Sequence, residues 1–165
     1  MTPRPMHRQD RQLPQEEAWA LLTQGTYGVL SVVGDEGWPY AVPMHYTVMD
    51  GQIYLHCAKT GYKLDAIARD DRVCFTVTLR EELVQDHATS LYESVVVLGR
   101  AALVTDQATH QAALAHLVGA LGRVSPDLRD QYIARRGQNT AVLVIRPVHL
   151  TGKAKRDFRP IQQRM

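Results

Sequence analysis

The stretch Ala41–Lys63, AVPMHYTVMDGQIYLHCAKTGYK, decides the fold. Trp38 to Val48 alternates, with Tyr40, Val42, Met44, Tyr46 and Val48 on one face and Ala41, Pro43, His45 and Thr47 on the other. Period-two alternation marks a half-buried strand. Asp50-Gly51 supplies the backbone freedom of a tight hairpin turn, and Gln52 to Ala58 is the returning strand. A helix then opens near Gly61 and runs to Arg69, with Leu64, Ile67 and Ala68 facing inward. Lys59 and Lys63 flank the mouth of that helix. Such an end carries roughly half a positive charge, so two lysines there are costly unless an anion offsets them. Two readings stand: solvated surface lysines, or a phosphate site on free backbone N–H groups with Gly61 allowing close approach.

Working outward, Pro14-Gln15-Glu16-Glu17 opens a helix with proline in the first turn and carboxylates near its positive end. Ala18, Leu21 and Leu22 keep its apolar rhythm, and Gly25 ends it. Tyr27 to Val33 is a strand and Gly34–Gly37 a turn. Arg72 to Leu79 alternates Val73, Phe75 and Val77 with Cys74, Thr76 and Thr78. A polar connection of about a dozen residues follows, long enough to suggest a functional loop. Tyr92 to Val104 is a long strand, and Asp106 caps a helix with the stripe Leu114, Leu117, Val118 and Leu121. Ser125-Pro126-Asp127 starts another helix reaching Gly137, and Ala141 to Leu150 is the last strand. Six short-spaced strands with helices at the edges predict a mainly β protein, a small antiparallel barrel. The domain is read as residues 13–156, between a flexible tail at 1–12 and a basic tail at 157–165.

Composition narrows the function. The 165 residues suffice for one full core, and a formal net charge of +2 argues against nucleic acid as partner. No apolar run is long enough to span a bilayer and no signal-peptide pattern follows Arg4 and Arg8, so the chain reads as cytoplasmic. Cys57 and Cys74 lack metal-site spacing and read as free thiols. His87, His110, His116 and His149 show no ligand spacing, and no metal site is expected. Hydrolase elbows, Walker loops and dinucleotide fingerprints are all missing. Pro43 removes a ladder donor, so its strand is interrupted, bulged or at an edge. Backbone groups from Pro43 to Tyr46 are thereby freed for the polar rim of a planar ligand. His45 and His56, on neighbouring strands beside the anion site, are the candidate proton-transfer residues.

GTYGVLSVVGDEGWPYA, VPMHYTVMDGQIYLHCAKTGYKLDAI and LYESVVVLGRAALV, with the Leu150–Ala154 ending LTGKA, resemble the pyridoxamine-phosphate-oxidase-like split barrels. The nitroimidazole-reductase branch is the nearer likeness. The resemblance implies a homodimer of six-stranded Greek-key split barrels with FMN between subunits. It places Pro43, Met44, His45 and Tyr46 along the flavin ring. His56, Cys57, Ala58, Lys59, Gly61, Lys63 and Leu64 run toward its phosphate, and His56 matches the histidine of a Tyr-x-His strand. Tyr92 and Ser94 close the site, from the partner chain by analogy, and Lys153 matches the branch's Gly-Lys ending. The implied activity is reduction of small electron-poor, nitroaromatic-like compounds with electrons from reduced nicotinamide. The arginine and histidine pattern of vitamin B6 chemistry is missing. Alternatives are a deazaflavin in place of FMN, a haem-binding or haem-handling protein, and a flavin-binding protein without turnover.

Overall fold

The computed structural model describes residues 4–122 and 124–157, so the outer parts of both expected tails, 1–3 and 158–165, lie outside the described residues. Six strands, β1 (Tyr27–Val33), β2 (Pro39–Met49), β3 (Gln52–Ala58), β4 (Arg72–Val84), β5 (Thr89–Leu103) and β6 (Thr140–Lys155), form one antiparallel sheet. Their order β1-β2-β3-β6-β5-β4 closes as β4 returns to β1. Four helices decorate it: α1 (Gln15–Gln24), α2 (Tyr62–Arg69), α3 (Gln107–Ala120) and α4 (Pro126–Arg136). This is the expected mainly β, six-stranded Greek-key split barrel.

Alternation builds the interior. Leu30, Met44, Tyr46, Ile53, Leu55, Phe75, Val77, Val95, Val97, Leu143 and Ile145 fill it, with Leu21 and Leu22 of α1 packed against them. A second cluster lies outside the sheet, where Tyr54, Val142 and Val144 meet Ala113, Leu114 and Leu117 of α3. Tyr46 ties α1 to the barrel: its ring meets Phe75 edge-on at 5.0 Å and its hydroxyl donates to the Leu22 carbonyl at 2.6 Å. That carbonyl lies in the last turn of α1, where no intrahelical donor remains.

Four expectations are corrected. The polar connection after Leu79 is no loop: Arg80 to Val84 pairs with Thr89 to Glu93, extending β4 and β5 as a hairpin beyond a register shift at Thr78/Arg80. Its polar composition misleads because both faces of that extension are largely solvated. In α2 the buried alanine is Ala66, while Ala68 faces solvent. Leu121 lies past the end of α3 and is half exposed. Finally, β6 continues to Lys155 instead of ending at Leu150, held by β5 on one side.

Candidate flavin cradle at the split of the barrel

The hairpin sets the geometry of the site. β2 pairs with β3 only through Tyr46↔Leu55 to Met49↔Gln52, whereas it pairs with β1 along Pro39 to His45. Beyond Tyr46 the two strands part, and β3 continues alongside β6. Of the three explanations for Pro43, the structure selects an edge. Tyr46 donates its amide to the Thr26 carbonyl on the β1 side, at 3.0 Å. Strand alternation therefore turns the main-chain groups of Ala41, Pro43 and His45 to the open side, where Pro43 has no hydrogen to give.

His45 and His56 stand on the outer face at this split. One further step of the β2–β3 register would have paired them. His45 is exposed, meets Tyr27 edge-on at 4.8 Å, and bonds through Nδ1 to the Thr26 carbonyl at 3.1 Å. A carbonyl only accepts, so Nδ1 carries the hydrogen and Nε2 is left for proton exchange. His56 is half-buried, and its Nδ1 is buried with no hydrogen-bond partner. Burial, helped by the positive charge His45 can carry, holds its pKa below the ordinary value, so the imidazole is neutral near pH 7.

The other side chains divide by strand parity. Met44, Tyr46 and Leu64 point into the core, so only their backbones are available to a ligand. Cys57 is half-buried on the inner side; burial raises its thiol pKa and the nearby Lys63 ammonium opposes that rise. Ala58 and Gly61 are exposed, and Gly61 has φ +135° with no atom within 4 Å of the place a Cβ would take. In α2 the Gly61 carbonyl accepts from Leu64 and Asp65, leaving the Tyr62 and Lys63 amides without an intrahelical acceptor. Lys63 lies in the first turn of α2 with its ammonium near Cys57, and Lys59 lines a cleft between α3 and α4.

Tyr92, Ser94 and Lys153 come together, but not with the histidines. Ser94 pairs with Lys153, and the Lys153 ammonium lies 5.4 Å from the Tyr92 ring centroid. Sequence reasoning misses Arg11, which donates to the Tyr92 hydroxyl at 2.7 Å. Gln12 bridging to Lys153 brings it there. Burial alone would raise the Tyr92 pKa; the Arg11 hydrogen bond and the charges of Lys153 and Arg11 outweigh it, and the net shift is downward. Along the outer face, His45 lies beside Tyr27, whose register continues toward Thr78 and then Ser94. Three strand spacings put Ser94 roughly 14 Å from His45 along the sheet. The surface between them is uncharged, with Tyr27, Val29 and Val96 exposed.

The free amides at the α2 start, the open strand edge at Pro43 and the two neighbouring histidines fit a flat, phosphate-bearing group. A family described as pyridoxamine 5'-phosphate oxidase matches residues 14–154, and the chain belongs to it. Solved structures agree in fold. A putative 5-nitroimidazole antibiotic resistance protein from Bacteroides thetaiotaomicron superposes with a TM-score of 0.73 at 23% identity, over 87% of this chain and 86% of that one. A conserved hypothetical protein from Mycobacterium tuberculosis gives 0.78 at 19% identity, over 91% and 90%. An FAD and haem binding protein from Mycobacterium smegmatis gives 0.68 at 18% identity, over 90% and 75%. No curated protein matches the chain significantly. Among the described residues no helix is long and apolar enough to cross a membrane, and no cluster of metal-ligating side chains occurs.

Proposed function

We propose that this protein is a cytoplasmic FMN-dependent oxidoreductase that reduces small electron-poor aromatics with electrons from reduced nicotinamide. One observation carries the reading: the open β2 edge at Pro43–His45 lies beside His56 of β3, the strand that runs on to the uncapped start of α2, whose first turn carries Lys63. Lys63 and the Tyr62 and Lys63 amides would hold the phosphate, and the backbone of Pro43 to Tyr46 would meet the ring's polar rim. When bound, the flavin supplies the redox chemistry. The chain's part is to orient it, to keep one face open to nicotinamide and acceptor in turn, and to move a proton. His45 Nε2 suits that last role, because the Thr26 carbonyl fixes its ring while the exposed edge exchanges with water.

The same geometry supports a homodimer. Counted through β1 and β4, Tyr92 and Ser94 sit three strands along the sheet from the His45 of their own chain, and Lys153 four. A second copy laid against the uncharged outer face would supply them across a two-fold axis. The haem reading has less support: the crevice that His56 lines is only about 20 Å³, and a macrocycle would have to displace α3 and α4.

An absorption spectrum separates the cofactors, and a paired titration tests the phosphate site. Lys63→Gln should weaken FMN binding roughly tenfold while leaving riboflavin, which lacks the phosphate, unchanged. Equal losses for both would remove Lys63 from the phosphate site, and a colourless protein that takes up neither would end the flavin proposal.

A further inference from the structure

Helices α3 and α4 are not needed to close the barrel. They enclose a cleft of about 320 Å³ lined by Lys59, Gln107, His110, Gln111, Ala134 and Gln138. Its inner end adjoins a small apolar crevice through the shared Leu114, Ile133, Gly137 and Thr140. Leu117, Val118 and Tyr132 wall that crevice, and His56 lies at its floor. The lining is therefore graded. Three carboxamides and one ammonium occupy the wide end, no carboxylate among the described residues lines either part, and the narrow end is aliphatic and aromatic.

We infer that this cleft is a second small-molecule site, which takes an amphipathic anion with its charge at Lys59 and its apolar body against Leu114 and Ile133. The charge assignment follows from the lining, where the ammonium faces no acid among the described residues. His110 bonds through Nε2 to the Thr140 carbonyl at 2.8 Å, which fixes that nitrogen as a donor. Selectivity for the apolar end follows from Leu114, Ile133 and Ala134 in the cleft wall, which offer a polar headgroup no side-chain partner.

The inference goes beyond the flavin reading and is tested separately from it. Full-length protein, with whatever flavin it retains, is titrated with 1-anilinonaphthalene-8-sulfonate and with its uncharged analogue N-phenyl-1-naphthylamine, following probe fluorescence. The sulfonate should bind roughly fivefold more tightly than the neutral amine. Lys59→Gln should erase that preference by weakening the sulfonate alone. Ala134→Trp, at an exposed position of the cleft wall, should weaken both probes roughly tenfold and leave flavin content unchanged. Gln111→Trp fills the opposite wall and should repeat the result, which guards against a folding defect in either variant. A preference that survives Lys59→Gln, or probe binding indifferent to both tryptophans, overturns the proposal. A protein that binds no flavin yet shows this pattern would refute the proposed function and support the cleft.

Discussion

The contact between Tyr46 and Gly25 makes a quantitative prediction about how α1 is fastened beside the site. A Cβ added at Gly25 would fall 2.2 Å from the Tyr46 hydroxyl oxygen, 3.2 Å from Val77 Cγ1 and 3.3 Å from Tyr46 Cζ. The tyrosine cannot yield, because its fully buried ring lies on Phe75 and its hydroxyl holds the Leu22 carbonyl. Gly25 has extended backbone angles, so alanine is conformationally acceptable and the cost is steric. Gly25→Ala should lose roughly 2 kcal/mol, as overpacked substitutions do. Tyr46→Phe alone should cost about 1 to 2 kcal/mol, from a buried carbonyl left unpaired. With the hydroxyl gone, the worst remaining approach is the 3.2 Å contact with Val77, which a few tenths of an ångström relieve. The double variant should therefore resemble Tyr46→Phe, giving a favourable coupling of roughly 2 kcal/mol. Urea unfolding midpoints, compared at constant m-value, measure the cycle. Losses that add within about 0.5 kcal/mol would refute this account of the contact.

Three further outcomes can be checked. Because the folded pKa of His56 lies below its unfolded value, the unfolded chain takes up the proton first as pH falls; stability should decline from about pH 6.5 downward until the folded imidazole also protonates. His56→Phe should flatten that part of the urea-midpoint profile, and an unaltered slope would contradict it. Ultraviolet titration should show one phenol ionising below the ordinary value of 10.0, and Arg11→Gln should move that step upward. Gly152→Val should loosen α1, since even a Cβ there would lie 2.6 Å from the Cβ of the fully buried Ala18; faster proteolysis between α1 and β1 reads this out.

The hairpin, the barrel interior and both histidines are legible in the sequence because period-two burial is written directly into residues such as Met44, Tyr46, Ile53 and Leu55. The β4–β5 extension is not, since Arg80 to Val84 has no buried face to impose a pattern and depends on cross-strand pairing alone. That Lys59 also lines a cleft between α3 and α4 is not legible, because it depends on where two helices far along the chain pack. Arg11 is invisible for a similar reason: it reaches Tyr92 only because Gln12 zips onto Lys153, at the far end of the sequence. The helical repeat from Leu64 and Ile67 favours Ala68 over Ala66, and only the packing of α2 on the barrel reverses that choice.

Pro43 has a consequence outside catalysis. A strand with one bare side is a template on which stray chains can polymerise. At the middle of that side this protein places the one residue type that offers no N–H to an incoming strand. The notch can thus stay open for a ligand during the life of the molecule without recruiting its neighbours into fibres.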